Sequence, residues 1–352
     1  MLQSEKLKIT IKKIIEKVLL FRYHRISNKT AKNALKEIEI EKGKLSLKLK
    51  KKADKYACEI LGWKGYAPWL YVYTHISGEF KNGWIPDNYY GKVVIQKIQG
   101  NYGKVSFLKA FNNKVFNEAM CPDLAYLING KWFSNEFKPL SIFEVENLVK
   151  HNNDKVIFKS DFSAQGSGIF VYEKKDFDVN IVVENGEGVL QYFIEQHEFF
   201  NQFVKQAVAT IRMTTVIDGQ GKASLRACFI RFGRANDTHV VSKNQILVPV
   251  NMETGQLYEN GYFSTYKSIK YHPDSKVTFL NKYIPNYKQC IDLAISLQEK
   301  MPMVTTIGWD LVVNKQGIPV IMEWNGFGSG IAFSEATQGP SFKDLSWDNF
   351  RI

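Results

Sequence analysis

Residues 308–330 read GWDLVVNKQGIPVIMEWNGFGSG. Two apolar runs flank a polar turn, the pattern of a β-hairpin. Asp310, Glu323 and Asn325 nevertheless stand where apolar residues are expected. If residues 315–318 form the loop, Asn314 faces Pro319 and Asp310 falls opposite Glu323, with Asn325 two residues further along the same face. Facing carboxylates in an apolar sheet repel one another, a cost that a cation between them removes. Magnesium binds through one or two carboxylates plus phosphate oxygens, and a neutral amide oxygen such as that of Asn325 limits repulsion around the site. The competing reading is that Asp310 and Glu323 each pair with a nearby Lys or Arg.

The rest of the chain narrows the choice. Its 352 residues are enough for a sizeable core divided among subdomains, and a composition 45% hydrophobic and 23% charged is that of a globular protein. Cys58, Cys121, Cys228 and Cys290 are far apart with no CxxC, so neither a zinc site nor a disulfide scaffold is indicated, and a reducing cytoplasm is the expected location. The net charge of +12 is local: residues 1–55 hold 17 Lys and Arg against 6 Asp and Glu, which leaves +1 for everything after them. No run approaches the ~20 apolar residues of a membrane span. The opening LKITIKKIIEKVLLFRYHRI mixes Lys with Ile, Val and Leu at helical spacing and has no cleavage site after it. Such a helix either docks on the protein by its apolar stripe, or lies on an anionic membrane surface, at the inner face of the bilayer, or on an acidic partner. No nucleic-acid-binding motif accompanies the charge, and no nucleic acid is expected as partner.

Four segments follow from the pattern. Residues 1–60 are a basic helical segment, with IEIEKGKLSLKLKKK marking a break before the helix resumes. Residues 61–105 are aromatic-rich, including Trp63, Tyr66, Trp69, Tyr71, Tyr73, Phe80, Trp84, Tyr89 and Tyr90. These rings either pack as a dense small core between subdomains or line a groove for a sugar. Residues 106–190 and 191–352 alternate strand and helix, with strand signals KVIFKS, SGIFVYE, GVLQYFI, VATIRMTTVID, ASLRACFIRFG, QILVPVN, IGWDLVVN and IPVIMEWN. The turns IDGQGKA and NKQGIP make much of the sheet antiparallel, and the class is α+β.

Two further stretches carry chemistry. In KVIFKSDFSAQGSGIFVYE, Lys159 ends a strand, and a loop with Gly166, Ser167 and Gly168 follows, suited to bring backbone N–H groups and one ammonium to phosphate oxygens. GxxxxGK[ST] is absent, so this is not a P-loop, and alone it reads equally as a hairpin. In LQYFIEQHEFF an apolar strand stops at Ile194 and gives way to Glu195, His197 and Glu198. Such an edge can offer backbone groups to an adenine, with a carboxylate beyond it for ribose hydroxyls.

Taken together, these residues resemble the ATP-grasp superfamily: a lysine before a glycine loop, a hinge with an acid after it, and a late Asp followed by Glu-x-Asn on paired strands. The resemblance covers about residues 105–340. GYAPWLYVY, GWIPDNYYG, TIRMTTV and RFGR are similar to segments of the sugar-transfer-associated and teichuronopeptide-type ATP-grasp proteins of bacterial surface-polysaccharide biosynthesis, which extends it back to about residue 55.

The resemblance implies two α+β subdomains sandwiching a nucleotide, with the basic helical segment as an N-terminal extension. ATP and Mg²⁺, or Mn²⁺ in its place, are the implied cofactors. Lys114 and Lys159 match the two phosphate lysines, and Gln191 takes a hinge position often filled by an acid that meets the adenine amino group. Ile194 would supply backbone contacts, Glu198 would accept from ribose, and Asp310, Glu323 and Asn325 match the magnesium ligands. Arg212 and Arg234 are the arginines expected to meet a transferring phosphoryl group or a carboxylate, with Arg226 and Arg231 either a second basic set for such contacts or solvated strand residues, and His239 and Ser242 available to orient an amine. The implied activity is a carboxylate–amine ligase acting through an acylphosphate, joining an amine or amino acid to a carboxylated sugar or glycan precursor. The alternatives are a kinase-like member of the family and a non-catalytic scaffold that binds glycan or membrane.

Overall fold

A computed structural model describes residues 2–116, 121–151, 154–163, 168–234, 237 and 239–351, with side chains from residue 8 onward. Contacts divide the chain into two compact units, residues 1–97 with 265–267 and 330–352, and residues 98–264 with 268–329. The basic segment and residues 61–97 of the aromatic segment thus share one unit, which also includes the C-terminal residues, while residues 98–105 belong to the other.

Helices dominate that first unit: α1 (Leu2–Lys42), α2 (Leu47–Glu59) and α3 (Ala67–Ser77). The break expected between the first two is present. Gly43 takes a positive φ of 79°, and Ser46 caps α2 by accepting from the Leu49 amide. α1 docks by its second half, where His24, Ser27, Ala31, Ala34 and Ile38 are buried at helical spacing, whereas residues 8–22 are exposed. The aromatic stretch packs inward: Tyr66, Trp69, Tyr73, Trp84, Tyr89 and Tyr90 are buried, with Tyr66 edge-on to Tyr89 and Trp84 donating to the Glu335 carbonyl (3.0 Å). These rings are the core of the helical unit itself, and burial commits them to packing.

The second unit contains two antiparallel sheets among the described residues. The first joins β1 (Asp123–Ile128), β2 (Lys131–Phe133), β3 (Pro139–Leu140), β4 (Lys155–Ser160), β5 (Ile169–Glu173) and β6 (Gly188–Tyr192) in the order β3-β2-β1-β6-β4-β5. The second joins β7 (Thr210–Ile217), β8 (Ala223–Phe232), β9 (Ile246–Pro249), β10 (Gly261–Phe263), β11 (Ser268–Ile269), β12 (Thr306–Val313) and β13 (Pro319–Asn325) in the order β11-β10-β9-β8-β7-β12-β13. The architecture is α+β, two antiparallel sheets with a helical N-terminal region, as expected. The first sheet buries Val156, Phe158 and Leu190 against the helix Ile142–Lys150, which begins with a Ser141–Glu144 capping box. The second packs against the helix Tyr287–Glu299, whose Cys290, Ala294 and Leu297 enter its core.

In the hairpin of residues 308–330, Val313, rather than Asn314, pairs with Pro319, so the turn is one residue longer than the sequence suggested. A β-bulge at Met322 then shifts the register back, and Asp310 does face Glu323. Alternation turns Trp309 and Trp324 to the opposite side, where they stack with each other and touch Phe116.

Candidate active site

A cavity of about 330 Å³ in the second unit is lined from both sheets. Ile157, Lys159, Ile169 and Gln191 come from the first; Thr210, Arg212, Arg231, Asp310, Glu323 and Asn325 come from the second.

Asp310 lies at its most charged point. Its Oδ1 accepts from Arg212 Nε (2.6 Å) and also from Arg231, and its Oδ2 accepts from Arg212 Nη2 (2.9 Å) and Asn325 Nδ2 (3.3 Å). Burial alone would raise the Asp310 pKa, but Arg212 and Arg231 outweigh it and hold the carboxyl well below the usual range. Gly308 makes room for this pair, since a Cβ there would meet Arg212 Nη1 at 3.3 Å and Ser329 Cβ at 3.1 Å. The ion-pair reading of Asp310 therefore holds in this structure. Glu323, across the strand, has no hydrogen bond or ion pair among the described residues, and it is one of the charges that favours the protonated form of Lys109.

A magnesium ion fits this donor set. Glu323 offers an uncommitted carboxylate, and because Asn325 Nδ2 donates to Gly308 and Asp310, its Oδ1 is left to ligate. Asp310 already accepts four contacts, as many as a carboxylate has lone-pair positions, so it can join only by exchanging a partner, Arg231 being the singly bonded arginine.

Two lysines meet the cavity from the other side. Lys159 is buried and donates to the Met322 carbonyl (3.0 Å), the group freed from the ladder by the bulge. The second is Lys109, which the sequence reading passed over. It is buried, its Nζ donates to the Ser160 carbonyl (2.9 Å), and its backbone amide donates to Asp161 (2.8 Å). Desolvation lowers the Lys109 pKa, against the pull of Glu323 and Asp161. Lys114, given the earlier phosphate position, is exposed on a short helix and does not line the cavity. The reason lies in the preceding segment. Gly103 packs so closely on Gly326 that a Cβ would sit 1.9 Å from its carbonyl oxygen, and Ser106 accepts from the Gly326 amide (3.2 Å), so that it is Lys109 which reaches the site.

The hinge residues divide between two recesses. Gln191 is buried and its Nε2 donates to Asp123 Oδ1 (2.7 Å), which leaves its oxygen as the acceptor. Asp123, also missed, accepts in addition from Asn113 Nδ2 and Tyr126 Oη, both at 3.0 Å. Burial raises its pKa to about 6, against Gln191, Tyr126 and Lys159, which lower it. Ile194 lines the cavity, while the exposed Glu198 lines an adjoining recess that shares Phe193, Ile194 and Val208. This segment is tied to the turn of the β12–β13 hairpin, where the His197 amide donates to Val313 (2.9 Å) and Lys315 pairs with Glu195 (2.7 Å).

Of the two expected arginines, Arg212 is at the site and Arg234 is not. Arg234 lies beyond the end of β8 and pairs with Asp274 (2.7 Å), away from the cavity. Arg231 takes the place instead, because Phe229 is the partner of Arg212 and residue 231 shares its face. His239 and Ser242 also line the cavity. Gly168 is packed against Ser163 in the glycine loop, whereas Gly166 and Ser167 lie outside the described residues.

Residues 179–346 match the family model described as sugar-transfer associated ATP-grasp. No curated protein matches the sequence. Among solved structures, the chain is similar to the biotin carboxylase domain of the Hydrogenobacter thermophilus 2-oxoglutarate carboxylase, in complex with MgADP, ADP and bicarbonate, at 11% identity over 70% of this chain and 45% of that one, with a TM-score of 0.40. It is similar to the biotin carboxylase–beta-gamma-ATP complex from Campylobacter jejuni at 13% identity over 69% and 46%, TM-score 0.42. The L-amino acid ligase from Bacillus licheniformis follows at 11% identity over 72% and 48%, TM-score 0.38. The chain thus spans about half the length of these proteins, and likenesses at such scores carry no argument about its substrates.

Proposed function

We propose, from the match of residues 179–346 to the sugar-transfer associated ATP-grasp family model, that the chain is an ATP- and magnesium-dependent carboxylate–amine ligase. The observation that carries this reading is the convergence of Lys109, Lys159, Arg212, Arg231, Asp310, Glu323 and Asn325 on one cavity with Gln191. So many cations beside so few acids suit a polyanionic substrate, since phosphoryl transfer depends chiefly on positioning and on stabilising spread charge.

Gln191 accepts from the adenine amino group through its free oxygen, and the backbone at Ile194 meets the ring edge. Lys109 and Lys159 hold the phosphate chain. Glu323 and Asn325, joined by Asp310, would hold magnesium, which would supply charge neutralisation to the phosphate chain. A substrate carboxylate oxygen attacks the γ phosphorus while the bond to the bridging oxygen breaks, which gives an acylphosphate and ADP. An amine nitrogen then attacks the acyl carbon, phosphate leaves, and the nitrogen loses a proton to form the amide. The planar guanidiniums of Arg212 and Arg231 suit the acylphosphate oxygens, and His239 is the cavity residue suited to take the proton. The acyl donor in this reading is a carboxylated sugar or glycan precursor and the acceptor an amine or amino acid, in keeping with the sugar-transfer association of the family model.

The reading is tested by calorimetric titration of Mg²⁺·ATP into wild type and Glu323→Gln, with a magnesium-free control. Magnesium-dependent binding that Glu323→Gln loses or sharply weakens is expected. Folded wild-type protein that takes up no nucleotide refutes it. Incubation with carboxylate and amine pairs then distinguishes an amide product from a stable phosphate ester.

A further inference from the structure

Residues 8–22 of α1 are helical, strongly basic and exposed. Ile11, Ile14, Ile15 and Val18 follow the i, i+3, i+4, i+7 spacing of a single stripe, yet Ile14, Val18 and the neighbouring Phe21 are 56%, 52% and 68% exposed. At ~100° per residue, this stripe lies roughly opposite the docked stripe of His24, Ser27, Ala31, Ala34 and Ile38. It is therefore not a continuation of the face that packs in the helical unit. Lys8, Lys12 and Lys17 stand on its flanks, Arg22 and Arg25 fall within it and Lys13 lies on the far side, against Glu16 as the one acid between residues 8 and 25. No helix among the described residues is long and apolar enough to cross a membrane.

We propose that the exposed face of α1, residues 8–25, binds the surface of an anionic lipid bilayer. An apolar stripe bordered by lysines is the arrangement that lies in the headgroup plane, with Ile, Val and Phe entering the acyl boundary and ammonium groups reaching lipid phosphates. The charge selects this occupant over the others. A second copy of the chain would bring two strongly basic faces together. Nucleic acid would satisfy the lysines but leave the isoleucines in water. Docking of this kind would hold the protein beside its acceptors if these are lipid-linked, yet the inference itself rests on α1 alone and not on the ligase reading.

The test is co-sedimentation of the full chain with vesicles of phosphatidylcholine, with and without phosphatidylglycerol, beside its oligomeric state in solution. Binding is expected only with phosphatidylglycerol, and it falls at high salt. Lys12→Gln/Lys13→Gln/Lys17→Gln lowers the partition coefficient by on the order of 100-fold, at about fivefold per basic group. Ile14→Asp/Val18→Asp reduces binding to background, and both variants change exposed positions, so they melt as wild type does. Equal uptake by vesicles of phosphatidylcholine alone overturns the proposal. So does unchanged binding by Ile14→Asp/Val18→Asp, or the absence of vesicle binding together with a dimer that this variant dissolves, which would assign the face to a second copy.

Discussion

Replacing Asp123 by Asn changes which nucleotide base the site accepts. Asp123 faces only donors: Gln191 Nε2 on one oxygen, and Asn113 Nδ2 with Tyr126 Oη on the other. The Asn113 amide cannot turn, because its Oδ1 accepts from the Cys121 amide (2.8 Å). An asparagine at 123 must therefore give its oxygen to Asn113 and Tyr126 and point its NH₂ at Gln191. Gln191 then turns to accept, and presents N–H to the cavity where its oxygen had been. An adenine amino group now meets a donor, whereas the 6-oxo group of guanine meets one it can use. A mispaired buried donor costs about 1–3 kcal/mol, so the ratio of ATP to GTP affinity should fall by about 10- to 100-fold. Titration of both nucleotides into wild type and Asp123→Asn measures this ratio. A ratio that does not change, in a variant that still binds ATP, refutes the reasoning. The same substitution has a signature in stability. The folded pKa of Asp123 is about 6, above the unfolded 3.8, so between these values the folded state holds the extra proton. Stability therefore falls as pH rises through that window, by about 3 kcal/mol for this group. Urea unfolding of Asp123→Asn at the two ends of the window should lack that fall, and an identical slope in both proteins would show that the carboxyl is not held as described.

Asp310→Ala removes the buried carboxylate that pairs with Arg212 and Arg231 and is expected to cost about 3–5 kcal/mol, read as a lower urea midpoint with an unchanged slope. Glu323→Gln, which breaks no contact of this kind, should unfold as wild type does, so a large loss of stability there would contradict its uncommitted state. Lys109→Ala is expected to weaken ATP binding by about 10- to 100-fold, as loss of a charge-assisted phosphate contact does, while Lys114→Ala leaves it unchanged; the reverse result would restore the assignment made from sequence. Gly103→Ala places a methyl group against the Gly326 carbonyl and should destabilise by at least about 1–3 kcal/mol in thermal or urea unfolding.

The amino-acid sequence by itself determined eight of the thirteen strands of the second unit among the described residues (β4–β9, β12 and β13), the break at Gly43 and the hairpin that places Asp310 opposite Glu323. Each is a local property: period-2 or period-3.6 hydrophobicity, or a turn with Gly at a positive φ. Even there the turn is one residue longer than it read, and the bulge at Met322 restores the register. What only the tertiary structure decided is which polar side chains share the cavity. Arg231 rather than Arg234 is there because β8 pairs with β7 through Phe229 and Arg212, and face parity cannot be known before pairing. Lys109 displaces Lys114 because Gly103 can approach the Gly326 backbone, a contact between residues more than two hundred positions apart. The choice between a metal-bridged and an arginine-paired Asp310 was likewise open in the sequence, since three strands must align before Arg212 and Arg231 can reach one carboxylate. Pattern fixes the elements, whereas long-range register fixes the charges that the site brings together.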